Sequence, residues 1–376
     1  MSKFIPLSVP NLKGNELKYV TKAVEDEWVS TGGAFIDEFE QKMADYVDAI
    51  GAVACQSGTA GLHLSLMVNQ IGAGDGVIVP TLTFVAAVNP VSYVKATPFF
   101  MDCDDSLCMD IDKAEQFCEE ECVFSDGSLI HKETDTRIKG LIFVHVFGNI
   151  GNIEQAAAIC KKYNLVLIED ATEAIGSYIE KGKKYAGTIG DMGVFSFNGN
   201  KIITTGGGGM IVSNDKALLK KAKYLSTQAK DDVLYYTHDE IGYNYRMTNI
   251  QAAIGLAQLE QLERFIAVKN ENYDAYIERS VELLQFRKDI RANKWFYSYL
   301  SDHRDELITY LHDSGIQTRP IWNLIHEQRP YQKYEAYKIN KAQFYWEKVV
   351  NLPCSTNLTV KDVDQVATYI KSFENR

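Results

Sequence analysis

Four places in the chain end an apolar run in residues able to do chemistry. They are Ser57-Gly58-Thr59 in ACQSGTAGLHL, Phe84 in VPTLTFVAAV, Asp170 in LVLIEDATEAIGS, and Ser196 with Lys201 in SFNGNKIITTGGGG. Small residues ahead of a helix let backbone N–H groups and the positive helix end face an anion such as a phosphate. An aromatic side chain at such a point can stack on a flat ring. A carboxylate closing a strongly apolar strand is partly desolvated and needs a cation, a metal or a protonated ring nitrogen beside it. A lysine in a partly buried polar site can form a Schiff base. Each feature alone has a plainer reading: a capped turn, a core phenylalanine, a surface lysine.

Their order is more informative than any one of them. Phosphate donors, a stacking aromatic, a buried carboxylate and a lysine stand at successive strand ends, with Lys201 31 positions after Asp170. Pyridoxal 5'-phosphate needs that set: an anchored phosphate, a covered ring face, a ring nitrogen kept protonated, and a lysine for its aldehyde. Two other phosphate-binding readings fail. No G-x-x-x-x-G-K-[ST] accompanies the strand ending in ED, and GAGDG follows a helical pattern rather than a strand.

The elements that must position these residues alternate. From about residue 15 to 215, helical spacing (GNELKYVTKAVEDEW, FIDEFEQKMADYV, GLHLSLMVNQIG, TFVAAVNPVSYV, IEQAAAICKKYN) alternates with apolar runs (AIGAVACQ, GVIVP, TPFFMDCD, IKGLIFVHVFG, LVLIED, GVFSF, GGMIVSN). This predicts an α/β fold with a mostly parallel central sheet flanked by helices, and ligands beyond the carboxyl ends of its strands. TNIQAAIGLAQLEQLERFIAVKNENYDAYI reads as one long helix leaving a large domain, 1–255. WFYSYL, DELITYLHDSG, IQTRP and VKDVDQVATYIKSF then form a smaller C-terminal α/β domain, 256–376.

Composition narrows the class. The chain has 376 residues, 46% hydrophobic and 24% charged, with a net charge of −11, which disfavours nucleic acid and anionic membranes as partners. No apolar run approaches bilayer length and the first residues lack a signal-peptide core, so a cytoplasmic location is expected. The seven cysteines, with Cys118 and Cys122 between carboxylates, read as reduced buried thiols, with no metal site.

With these residues in view, the chain resembles the nucleotide-sugar aminotransferases of the DegT/DnrJ/EryC/StrS family, of fold type I. The resemblance runs through WVSTGGAFIDEFE, SGTAGLHL, VPTLTFVAAVNPV, IEDATEAIGS, SFNGNKIITTGGGGM and GYNYRMTNIQAAIGLAQLEQL. It implies that Lys201 binds the cofactor's aldehyde and then shuttles a proton, and that Asp170 pairs with the ring nitrogen. Gly58, Thr59 and Ser196 would hold the phosphate, Phe84 would cover the ring, and Glu173 would lie near its phenolic oxygen. Asn244 would reach the site of the neighbouring subunit in a homodimer. Trp28, Ser30, Thr31, Gly32, Arg319 and Trp322 would meet the nucleotide sugar. L-glutamate would be the amino donor and pyridoxamine 5'-phosphate the aminated cofactor.

Two features refine this. Relatives that remove a hydroxyl replace the lysine by histidine; this chain keeps Lys201. Gly207 stands where the family commonly has Glu, removing a polar anchor of that loop. RPIW within TRPIWNLIHEQRPYQKY resembles enzymes aminating C4 of UDP-linked 4-keto-6-deoxy-N-acetylhexosamines for bacterial surface glycans, and this is the favoured substrate. HDEIGYNYRMTN also resembles GDP-perosamine synthases, which aminate C4 of GDP-4-keto-6-deoxymannose. A non-catalytic sensor or structural homologue on the same fold is the remaining alternative.

Overall fold

The computed structural model describes residues 4–232 and 234–376. Eight strands lie side by side in the order Gly51–Cys55, Gly209–Ser213, Met192–Ser196, Val166–Asp170, Arg137–Val144, Asp75–Pro80, Thr97–Met101 and Ala336–Tyr337. Gly209–Ser213 is antiparallel to both neighbours, and the other pairs are parallel. The hairpin Cys122–Ser125 and Ser128–His131 joins antiparallel to Arg137–Val144. Helices cover the sheet, so its central strands are buried and read as unbroken apolar runs. This is the expected fold-type I arrangement. Helix Gly58–Val68 lies so close to the sheet that a Cβ on Gly61 would come within 2.7 Å of Val194 Cγ1.

Two expected helices differ. TFVAAVNPVSYV forms a 3-10 turn, Val85–Ala87, and a short helix, Asn89–Tyr93. Pro90 is tolerated in the first turn of the second piece but has no N–H to donate to the Ala86 carbonyl, so the hydrogen-bond ladder is broken there and the two pieces do not fuse. The long C-terminal pattern is two helices, Asn249–Leu259 and Leu262–Glu278. They part where Gln258 is held by Asn11 and Glu16, and Glu260 by Asn15 and Tyr19, all from the start of the chain.

Two hydrophobic clusters divide the interior. The second is built around Ile5, Tyr276, Tyr297, Leu307, Val350 and Val366. It lies beside an antiparallel sheet of Tyr297–Leu300, Val349–Leu352 and Arg319–Pro320. Between those strands the chain returns to the first cluster, where Ile321, Leu324, Ile325 and Tyr337 are buried. Buried Asp102 clamps that return by accepting the N–H groups of Asn340, Lys341 and Ala342 at 2.7–2.9 Å. This excursion carries Arg319 and Trp322 to the edge of the large sheet's cleft. All seven cysteines are buried and free. Among the described residues no helix is long and apolar enough to cross a membrane.

Candidate active site

A cavity of about 740 Å³ opens at the carboxyl ends of the central strands. It brings together Gly58, Thr59, Phe84, Asp170, Glu173, Ser196 and Lys201 from the large sheet, with Arg319 and Trp322 from the later segment.

Each residue arrives by a local rule. Ser57 caps helix Gly58–Val68 by accepting the Ala60 N–H at 3.1 Å, so the free N–H groups of the first turn face the cavity. Glycine is required next. A Cβ on Gly58 would lie 2.9 Å from Thr172 Cγ2 and 3.0 Å from Ser196 Cβ. Phe84 precedes the 3-10 turn and is half exposed at the cavity wall.

Strand Val166–Asp170 ends in two acids that face opposite sides of the sheet. Asp170 is buried at the cavity, accepts the Thr172 N–H at 3.1 Å and has no ion pair among the described residues. Burial pushes its carboxyl above the usual range. Glu169, which the sequence reading passed over, accepts His145 Nε2 at 2.7 Å and the N–H groups of Gly187, Ile189 and Gly190 at 2.5–2.8 Å. Its position next to Asp170 at the end of a buried strand was the available signal.

Glu173 is buried, accepts the Phe147 N–H at 2.9 Å and lies 3.4 Å from Lys201 Nζ. Burial pushes its carboxyl up to about 7, while Lys201 pulls the other way. Asn293 fixes the loop carrying it, donating to the carbonyls of Glu173 and Ile175 at 2.9 Å.

Lys201 sits in the turn joining Met192–Ser196 to Gly209–Ser213. That turn is closed by Phe197 N–H to Gly208 O and Thr205 N–H to Phe197 O, each 2.9 Å. At Gly207 a Cβ would meet only Gln251 Nε2, at 3.9 Å, and the loop is anchored instead by Thr205 and Gln251 donating to the Gly207 carbonyl. The amine lies 3.9 Å from the ring centroid of Trp295, another residue the sequence reading missed. Its apolar context, KWFYSYL, looks like ordinary core.

The remaining candidates lie elsewhere on this chain. Trp28, Ser30, Thr31 and Gly32 do not line the cavity. The Trp28 and Ser30 carbonyls accept from Asn249, and Trp28 is 60% exposed. Asn244 is exposed, and its side chain accepts from Arg246 at 3.4 Å.

The donor set fits pyridoxal phosphate. The first-turn N–H groups of Gly58 and Thr59 and the Ser196 hydroxyl suit a phosphate, Asp170 has no ion pair among the described residues, and Lys201 is held at the same cavity. Fold and site thus define a fold-type I, pyridoxal-phosphate-dependent enzyme. Residues 10–371 match the DegT/DnrJ/EryC1/StrS aminotransferase family, and the chain belongs to it. It is similar to the GDP-perosamine synthase of Escherichia coli O157:H7, 39% identical over 378 residues covering 99% of each chain. A GDP-perosamine synthase of Caulobacter vibrioides is 38% identical over 374 residues, covering 96% of each. Among solved structures, a DegT DnrJ EryC1 StrS aminotransferase from Brucella abortus superposes with a TM-score of 0.89 at 27% identity, covering 96% of each chain.

Proposed function

We propose that this aminotransferase transfers the amino group of L-glutamate to C4 of GDP-4-keto-6-deoxymannose. The observation that carries the transamination reading is the convergence of Lys201, Asp170 and Glu173 on one cavity with the first turn of helix Gly58–Val68. The GDP sugar replaces the UDP sugar favoured on RPIW, because both relatives described above are named GDP-perosamine synthase and match nearly end to end. A four-residue resemblance carries less weight than similarity over more than 370 positions.

When bound, pyridoxal phosphate supplies an electron sink for the carbon that loses its proton. Asp170 would keep the ring nitrogen protonated, so that the sink is retained. Gly58, Thr59 and Ser196 would hold the phosphate, Phe84 would cover the ring and Glu173 would serve its phenolic oxygen. Lys201 Nζ takes the proton from Cα of glutamate and, in the second half, gives one to C4 of the sugar. Arg319, exposed at the cavity mouth with no ion pair among the described residues, and Trp322 receive the nucleotide sugar. Trp28, Ser30, Thr31, Gly32 and Asn244 stand outside this chain's cavity and act from a second copy in a two-fold dimer.

The test is a single turnover of the aminated cofactor form, freed of glutamate, with each keto-sugar offered separately. Return of the yellow absorbance with the GDP sugar alone supports the proposal. Return with UDP-4-keto-6-deoxy-N-acetylglucosamine alone reinstates the other sugar. Return with neither removes the C4 assignment.

A further inference from the structure

Lys201 Nζ has unusually little holding it. Among the described residues its one hydrogen-bond partner is Glu173 Oε1 at 3.4 Å, longer than the 2.7–2.9 Å of a strong charge-assisted bond. Its other support is a ring: the amine lies over the Trp295 indole, 3.9 Å from the ring centroid. Trp295 is itself held on several sides. Its backbone N–H donates to the Phe147 carbonyl at 3.0 Å and to Asn293 Oδ1 at 3.1 Å. Its ring stacks on Phe296 with centroids 4.2 Å apart and planes 23° apart, and only 3% of the residue is exposed. Its indole N–H donates to the carbonyl of Asn200, the residue before Lys201, at 2.9 Å. One side chain therefore fixes both the backbone entering Lys201 and the end of its long, otherwise flexible stem.

We infer that Trp295 is the positioning residue for Lys201 in proton transfer, its ring face seating Nζ and its indole N–H fixing the Asn200 carbonyl, without adding an acceptor that competes for the amine's protons. This rests on the reading that Lys201 moves the proton. A carboxylate at short range would hold the amine too, but it would engage the same N–H groups the shuttle must use. An aromatic face attracts an ammonium without accepting its proton. The two contacts separate by substitution. Trp295→Phe retains a ring face but has no N–H for Asn200, whereas Trp295→Leu removes both.

The experiment compares these variants in two readouts, after checking that each keeps the wild-type thermal transition. The first is the rate at which the yellow band forms when pyridoxal phosphate is added to cofactor-free protein, which requires Nζ but no turnover. The second is the glutamate half-reaction, with and without deuterium at Cα. For Trp295→Leu the band should form roughly 10-fold more slowly. Its kcat should fall by up to about 10²-fold, as for a misplaced catalytic group, with KM for glutamate nearly unchanged and a larger deuterium isotope effect. Trp295→Phe should recover most of both rates.

Equal losses in the two variants would overturn the inference, since the indole N–H rather than the ring face would then matter. A change confined to KM, or wild-type behaviour of Trp295→Leu, would overturn it as well. If only Trp295→Phe folds, a wild-type isotope effect and band rate in that variant support the inference, and a Leu-like collapse of both rates refutes it. Wild-type protein that never turns yellow would instead refute the functional reading beneath it.

Discussion

The two faces of the sheet at strand Val166–Asp170 carry adjacent carboxylates with opposite fates. On the back, Glu169 is wholly buried and receives four hydrogen bonds, from His145 and three backbone N–H groups. On the front, Asp170 is buried too, yet it is held only by Thr172 and, among the described residues, has no ion pair, with Lys201 and His145 acting on it from further away. A satisfied buried charge is a structural fixture, and an unsatisfied one stores unfavourable energy until a ligand relieves it. The cavity, and with it the proposed chemistry, therefore lies on the face where this carboxylate is the less fully partnered of the two.

That contrast can be broken from either side. The largest effect is expected from Lys201→Ala, which should lose more than about 10³-fold in kcat and all of the yellow linkage while keeping its thermal transition. Absorbance and denaturation scans check both. Asp170→Asn should lower kcat/KM by about 10²- to 10³-fold and leave the cofactor-free protein at least as stable, because an unpaired buried carboxyl is removed. The neighbouring change, Glu169→Gln, should do the reverse. It should cost about 3 kcal/mol of stability in urea titrations, since an amide N–H₂ would face backbone donors, with a smaller effect on the activity of the folded fraction. Matching stability losses for the two variants would erase the distinction.

Glu173 sharpens the comparison through pH. Its carboxyl is raised from 4.5 to about 7 by burial, so the folded, cofactor-free chain binds a proton that the unfolded chain releases. This group's stabilisation is present below about pH 4.5 and is lost as pH rises through 7, by up to about 3 kcal/mol. Thermal scans of cofactor-free protein at pH 5 and pH 8 should show that loss, and Glu173→Gln should reduce it. The smallest effect is expected at Phe84, where replacement by Ala should weaken cofactor binding by about 5- to 10-fold, measured by titration with pyridoxal phosphate.

Much of this was legible in the sequence because parallel sheets impose strong local rules. Strands buried on both faces read as unbroken apolar runs, and ligand-binding residues follow their carboxyl ends, so Ser57–Thr59, Phe84, Asp170, Ser196 and Lys201 stood out by position alone. Periodicity did not reveal the break after Leu259, where Gln258 and Glu260 are held by partners more than 200 residues earlier in the chain.

By itself the sequence determined the strand order's raw material, the chemistry at four strand ends and the family, because these depend on residue type and short spacing. The tertiary structure decided which carboxylate of the ED pair is satisfied, since that requires backbone donors some twenty positions away at Gly187–Gly190. It also decided that Lys201 rests on Trp295, 94 positions later in the chain. Nothing local marks such a contact. It forms only where the chain, after Tyr276 of the second hydrophobic cluster, re-enters the first at Trp295 before the strand Tyr297–Leu300.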